Sequence, residues 1–394
     1  MSEIRVDSLS NESNTGGPVL SGITEFSGQQ YFIPPRGTTA ERPSDSPPGS
    51  IRFNTDSAHL EYWNGSVWLE FEASSEHVGI STFTDGISAR GTGTRGLLAG
   101  GYAPSPGDLL DRIEYITIST FGNSADFGNL VAPTRLAGAC SSSTRGLFGG
   151  GASPAPTKTA KIDFITIAST GQTAGDFGDL ITTRNQLAAC SNQIRGIFSG
   201  GDAPSAITDV MEHVTIATTG ICNDFGNLVT ATEQPASCSS SVRGLVAGGS
   251  ISGARTNVIQ YVTISTTGNA QDFGDLTAAK TFFAGCSNST RGLFGAGYID
   301  GSNNKINSID FITIATTGNA QDFGDLIVGR RAGQGACSSP TRGIFAGGQG
   351  GPSDAFLDNI DSVEFATTGN AADFGNLIGT TSQNFGCSNG HGGL

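Results

Sequence analysis

Apolar positions along this chain alternate with polar ones in short runs, and glycine-rich turns separate the runs. The stretch Ile309 to Ile314 places Ile309, Phe311 or Ile312, and Ile314 between Asp310 and Thr313, then turns at Thr316-Thr317-Gly318. Alternation of this kind, rich in β-branched residues, predicts a half-buried strand. Comparable runs start at Ile113, Ile162, Met211, Ile259 and Ile360. No window carries a helical stripe of useful length. The pattern predicts an all-β fold.

The runs belong to a repeat. The pentad Asp-Phe-Gly-Asn/Asp-Leu begins at Asp126, Asp176, Asp224, Asp272, Asp322 and Asp373, in steps of 50, 48, 48, 50 and 51 residues. Cys140, Cys190, Cys238, Cys286, Cys337 and Cys387 keep the same beat, as do Arg95, Arg145, Arg195, Arg243, Arg291 and Arg342, each followed by glycine. Units of this length cannot bury an apolar face alone, so neighbouring units complete the core. Each unit reads as four strands. A small-residue strand carries the cysteine, and a second strand opens at Arg-Gly and closes in a glycine doublet such as Gly100-Gly101, with Ala296-Gly297 as the exception. The β-branched strand follows, and then a strand carrying the pentad phenylalanine.

The units are out of phase with the chain. The first clear strand, Arg95 to Ala99, has no cysteine strand before it, and the last, Asn384 to Ser388, has no Arg-Gly strand after it. A closed ring of six units then requires the Cys387 strand to join the Arg95 strand, which removes the free edges. Loss of residues 384–394 is expected to destabilise such a ring. A solenoid, the alternative, needs polar capping units that the terminal repeats do not provide.

The four-strand unit, with its small-residue first strand, glycine doublet and aromatic fourth strand, resembles a divergent kelch motif. The pentad phenylalanine stands where kelch units carry tryptophan, and isoleucine mostly replaces the tyrosine of the third strand. The resemblance implies a six-bladed β-propeller over residues 93–394, closed by the C-terminal strand.

The front of the chain differs. Residues 1–49 read as an extended segment ending in a Pro-rich linker, 50–72 as a small β-hairpin module and 73–92 as a second linker. Asn64-Gly65 between aromatic-rich runs is a strong hairpin signal and predicts a type I′ turn. Tyr62, Trp63, Trp68 and Phe71 crowd this hairpin, which is too small to cover them, so it is expected to anchor by docking. The segments Tyr31-Phe32-Ile33-Pro34-Pro35, Thr38 to Pro43, Gly49 to Thr55 and Leu60 to Gly65 resemble the front of virion and tail-fibre proteins of tailed phages, cyanophages in particular. The match covers about residues 28–72. It implies a virion location, attachment to other virion proteins through the N-terminal segment, and, by analogy with fibres, a homo-oligomer, specifically a trimer.

Composition narrows the chemistry. The net charge of −14 opposes an electrostatic footprint on nucleic acid or anionic lipid. No apolar run is long enough to span a bilayer, and the first residues lack the apolar core of a secretory signal. Six of the seven cysteines recur once per unit, which favours small buried residues over disulfides or metal ligands; Cys222 stands apart and interrupts a loop. The Asp-Phe-Gly triplet invites a kinase reading, but six copies without the accompanying loops point to turns fastened by the aspartate and packed by the phenylalanine. The recurring arginine is expected to bond neighbouring carbonyls or the pentad aspartate. His59, His77, His213 and His391 are isolated. The segment from Asp300 to Asn307 resembles a calcium loop but lacks its terminal acid, and reads as a surface turn. No catalytic set, metal site or cofactor motif emerges, so the expectation is a non-enzymatic protein.

Function is expected in the connections. The links between first and second strands and between third and fourth strands are nearly uniform, whereas the second-to-third loops and the fourth-to-first segments differ from unit to unit. The two variable sets lie on one face, where loops on a fixed scaffold carry recognition. Candidate binding residues are Tyr102, Asp108, Arg135, Arg184, Asp202, Lys280, Tyr298, Asp300, Arg330 and Arg331. A host-surface glycan or protein is the expected ligand. The alternatives are a purely structural connector or decoration, and a glycan-cleaving enzyme.

Overall fold

The structure is a computed structural model that describes residues 34–57, 59–70, 94–104, 109–154, 156–299, 304–331, 335–351 and 353–394. It is all-β; among these residues the only helical element is the 3-10 turn Thr39–Glu41. The chain divides into two compact units, Met1–Ile80 and Ser81–Leu394.

In the first unit, strands Ile51–Asn54, His59–Trp63 and Trp68–Glu70 pair antiparallel, and Arg36–Gly37 adds in parallel beside Phe53 and Asn54. Residues 36–42 therefore belong to this module and not to a linker. Two contacts hold them: a Thr38/Glu41 capping box, and an ion pair from Arg42 to the fully buried Glu61, which also bonds Asn54. The hairpin turn also departs from expectation. Its loop spans four residues, with Asn64 N–H donating to the Val67 carbonyl and the Asn64 side chain accepting from the N–H groups of Ser66 and Val67. Only Gly65 takes positive φ, because the side-chain bonds replace the second left-handed residue that a type I′ turn needs.

Among the described residues the second unit contains six sheets, each built on four antiparallel strands, and two separate two-stranded sheets. The third is representative: Ala188–Ser191, Arg195–Ser199, Val210–Thr215 and Asn223–Asn227 in spatial and chain order. The first is composite. Its innermost strand is Phe385–Ser388, which pairs with Arg95–Ala99 so that Cys387 opposes Leu97, the register in which Cys190 opposes Ile197. The expected junction of the two ends is present.

Four sets of contacts link successive sheets, and each set runs through all six, including sixth to first. Ser141, Ser191, Ser239, Ser287, Ser338 and Ser388 each donate a hydroxyl to the carbonyl of the preceding one, with Ser141 donating to Ser388. Each repeat arginine donates to the carbonyl of the residue that follows the third strand one sheet on: Arg95 to Ile167, Arg291 to Phe365, and Arg342 back to Ile118. The pentad phenylalanine carbonyl accepts from the next sheet's turn glycine, as Phe127 does from Gly171 and Phe374 from Gly122. A third-strand acid or amide, buried in every sheet but the second, accepts the N–H that follows the preceding pentad, as Glu212 does from Ile181, Glu114 from Ile378 and the half-buried Asp163 from Val131.

These bonds explain the repeated residues. The arginine does bond neighbouring carbonyls, and its guanidinium also lies over an aromatic ring, 4.7 Å for Arg145 on Phe164 and 4.8 Å for Arg95 on Tyr115, contacts that stabilise by about 0.5–2 kcal/mol. Contrary to the expectation of isoleucine, the third strand keeps an aromatic at Tyr115, Phe164, Tyr261 and Phe311, edge-on to the pentad phenylalanine. His213 takes the place in the third sheet, and Phe121 supplies the ring in the sixth, where the strand has Ser362. Among the described residues the pentad aspartate fastens its turn only at Asp176, whose carboxylate accepts from Gly178 N–H. All seven cysteines are buried and free; burial pushes the Cys190 thiol up to about 12. Cys222 fills a core position that is alanine at Ala174 and Ala270.

Candidate binding face

The fourth-to-first segments and the second-to-third loops touch. Bridges join Arg135 to Ala152, Asn185 to Asp202, Glu233 to Ser250, and Thr281 to Tyr298; Arg331 pairs with Gln349, and Ser382 with Tyr102. The two variable sets therefore form one surface, as their sequences suggest. Near its centre Leu136, Gln186, Gln234, Phe282 and Gln383 adopt positive φ between 55° and 59°. Such backbone costs about 1–3 kcal/mol per residue and clusters at sites of function. Nothing in the residue types signals it, since only glycine or asparagine would have marked the positions.

Three successive loops carry small hairpins, Ser250–Ile251 with Ala254–Arg255, Tyr298–Ile299 with Asn304–Lys305, and Gln349–Gly350 with Ala355 and Phe356. Their side chains meet at Tyr298. Phe282 stacks parallel to its ring at 6.1 Å, and the guanidinium groups of Arg255 and Arg331 lie 4.3 and 5.6 Å from its centre. Asp354 pairs with Arg331 at 2.9 Å and with Lys305 at 2.8 Å, and these bonds hold its carboxyl below the usual range. Two cations, Lys305 and Arg331, thus share one carboxylate, and Arg255 has no ion pair among the described residues, in a chain of net charge −14. The buried Nε atoms of Arg255 and Arg331 have no partner. A second cluster sets Tyr102 against Phe356 at 5.8 Å and Arg135 at 5.4 Å, and Lys158 pairs with Asp202 at 2.7 Å.

The ten expected binding residues divide accordingly. Tyr102, Arg135, Asp202, Tyr298 and Arg331 lie half-buried on this surface. Asp108 and Asp300, with the first four residues of the calcium-like turn, lie outside the described residues, as does Phe71 of the hairpin. Arg184, Lys280 and Arg330 are corrected: they are fully buried and paired with Glu212, Asp310 and Asp361 at 3.1, 3.3 and 2.6 Å. Their variation looked like surface variation because the buried acid that each one answers sits some 30 residues away. Arg255, Phe282, Lys305 and Asp354 were missed, although Arg255, Lys305 and Asp354 lie in the variable second-to-third loops. In the hairpin module Trp63 and Trp68 pack on each other at 5.6 Å and Arg52 covers Trp68, leaving Tyr62 half-buried and Ile51, Val67 and Leu69 exposed.

The space between the six innermost strands is narrow. The part lined by the repeated cysteines and serines and by His391 measures about 50 Å³, room for a few water molecules. The last residues close one end: Gly392 N–H donates to the Ser287 carbonyl, and His391 Nε2 donates to the Ser141 carbonyl at 3.0 Å while its Nδ1 accepts from Gly393 N–H.

No protein-family model matches the chain, and no curated protein matches it either.

Proposed function

We propose that the six sheets are the blades of a closed, kelch-like β-propeller, and that the protein is a non-enzymatic virion component of a tailed phage that binds an anionic partner through its variable face. The propeller reading is supported by the Phe385–Ser388 strand in the first sheet and by the six-membered serine cycle. The virion reading rests on the resemblance of residues 28–72, with the hairpin module as the point of attachment to other virion proteins. The observation that carries binding is the Tyr298 cluster, where stacked rings and excess guanidinium charge meet on the individualised face. Flat rings and unsaturated arginine donors suit a sugar ring bearing a carboxylate or phosphate, as on a host-surface glycan.

The test replaces Arg255 and Tyr298 together with alanine. Both side chains are peripheral to the sheets, so melting stays within a few degrees while binding to acidic glycans on an array, and to host cells, is lost. Equal binding by wild type and variant removes the reading.

A second reading, a connector that recognises only its own assembly, draws on a different observation. Val131, Ile181, Val229, Ile327 and Ile378 are exposed at the same place in five repeats, a periodic apolar rim that suits a repetitive neighbour. Labelling on intact particles separates the two: a receptor-binding protein sits at the periphery, a connector between other components.

A further inference from the structure

The three buried cations reveal a fourth place that lacks one. The N–H of the second doublet glycine donates to the carbonyl of Arg184, Lys280 and Arg330 in three repeats, and to that of Thr134 from Gly101; Thr134 is therefore their structural counterpart. On the facing strand, Asp163 opposes Phe148 as Glu212 opposes Phe198 and Asp310 opposes Phe294. Five repeats have a carboxylate here, and four of them hold a cation within 3.3 Å: Glu114 from Arg112, and Glu212, Asp310 and Asp361 from the residues above. The fifth, Asp163, has no ion pair among the described residues. In the remaining repeat both partners are neutral, Thr232 and Gln260.

A cavity of about 230 Å³ stands where the missing side chain would run. Leu130, Val131, Ala137 and Phe148 give it apolar walls, and Asp163, Asp176 and Lys161 are its charged lining. Ala137 enlarges it, since the counterparts are Leu187 and Phe283. Asp163 spends one oxygen on Val131 N–H. Lys161, the counterpart of Arg112, pairs with Asp179 at 3.1 Å and Asp176 at 3.8 Å instead of with Asp163. In the filled sites the cation also donates to main-chain carbonyls: Lys280 to Phe294, and Arg184 to Phe198 and Val210. The carbonyls of Phe148 and Lys161 hold the corresponding positions here.

We propose that this cavity binds an alkylammonium group from outside the chain, its nitrogen beside Asp163 as Lys280 Nζ stands beside Asp310. The apolar walls take the methylene stem. Burial raises the Asp163 carboxyl, with the neighbouring Asp176 adding to the shift, and a bound cation relieves both effects. The site lies in the second sheet, apart from the Tyr298 cluster, and its ligand has the opposite charge, so neither proposal depends on the other.

The experiment is calorimetric titration of the full chain at neutral pH with n-butylammonium chloride, against tetramethylammonium as the ionic control. Saturable one-to-one binding is expected. Asp163→Asn, which keeps an acceptor for Val131, weakens it about tenfold or more, the effect of losing one charged hydrogen bond. Thr134→Lys supplies the cation from within; it abolishes binding and raises the melting temperature. Cadaverine and Nα-acetyl-lysine methylamide, titrated in parallel, distinguish a free polyamine from a protein lysine as the source. Wild-type heats that do not saturate, or that match those of Thr134→Lys, overturn the proposal.

Discussion

Ser141 donates its hydroxyl to the carbonyl of Ser388 at 2.7 Å, although 247 residues separate them. Ser388 in turn donates to Ser338, so the last strand occupies one sixth of a hydrogen-bonded cycle. Each such bond adds about 0.5–1.5 kcal/mol when buried. Ser388→Ala breaks two contacts, because its oxygen also accepts from Ser338 N–H. Denaturant titration is expected to show a loss of about 1–3 kcal/mol, the cost of a buried N–H left without its partner. Exposed Ser143→Ala serves as the control and stays near wild type.

Lys280 and Arg331 both belong to the variable segments and differ in burial. Lys280→Ala leaves Asp310 charged and uncompensated in the core, which costs about 3–5 kcal/mol. Arg331→Ala, half-exposed and opposite the solvent-accessible Asp354, costs about 1 kcal/mol or less. Chemical unfolding of the two variants measures the difference; equal losses contradict the assignment of Lys280 to the scaffold.

Glycine at the Arg-Gly step is a packing requirement between sheets. A Cβ at Gly244 would stand 2.6 Å from Cys190 Sγ. Gly244→Ala is therefore destabilising by about 1–3 kcal/mol. Cys190→Ala, mild alone, removes the obstructing sulfur, so the double variant loses less than the sum of the two. An additive double variant shows that the sulfur is not what excludes the side chain.

His391 couples the contacts of the last residues to pH. Burial lowers its pKa from the usual 6.5, and its Nδ1 already accepts from Gly393, so a second proton would oppose that N–H. The folded pKa is depressed; the stabilisation is present above the unfolded value and is lost as pH falls from about 6.5 toward the folded one. Melting between pH 7.5 and 5 is expected to fall more steeply for wild type than for His391→Gln. Parallel curves contradict this role.

How much of this was legible follows from where each signal lies. Strand order, the glycine doublets and the joining of the two ends could be read because they repeat, and six copies average out the exceptions. The roles of Arg184, Lys280 and Arg330 could not, because burial depends on Glu212, Asp310 and Asp361 in the facing strand, a contact that no single segment reveals. The third-strand aromatic escaped for a related reason: Tyr115, Phe164, His213 and Phe311 differ in kind and share only a register. Residues 36–42 looked like linker because the flanking Pro34, Pro35 and Pro43 and their own polar composition hide a two-residue parallel pairing and the Arg42–Glu61 contact.

The central claim is that the chain closes on itself through residues 385–388. Hydrogen exchange at Arg95–Ala99 tests it most directly, in the full chain and in one ending at Asn384. Closure predicts that these amides are protected as strongly as those of Arg195–Ser199 in the full chain and lose that protection on truncation. Rapid exchange at Arg95–Ala99 in the full chain, or protection unchanged by the truncation, contradicts it.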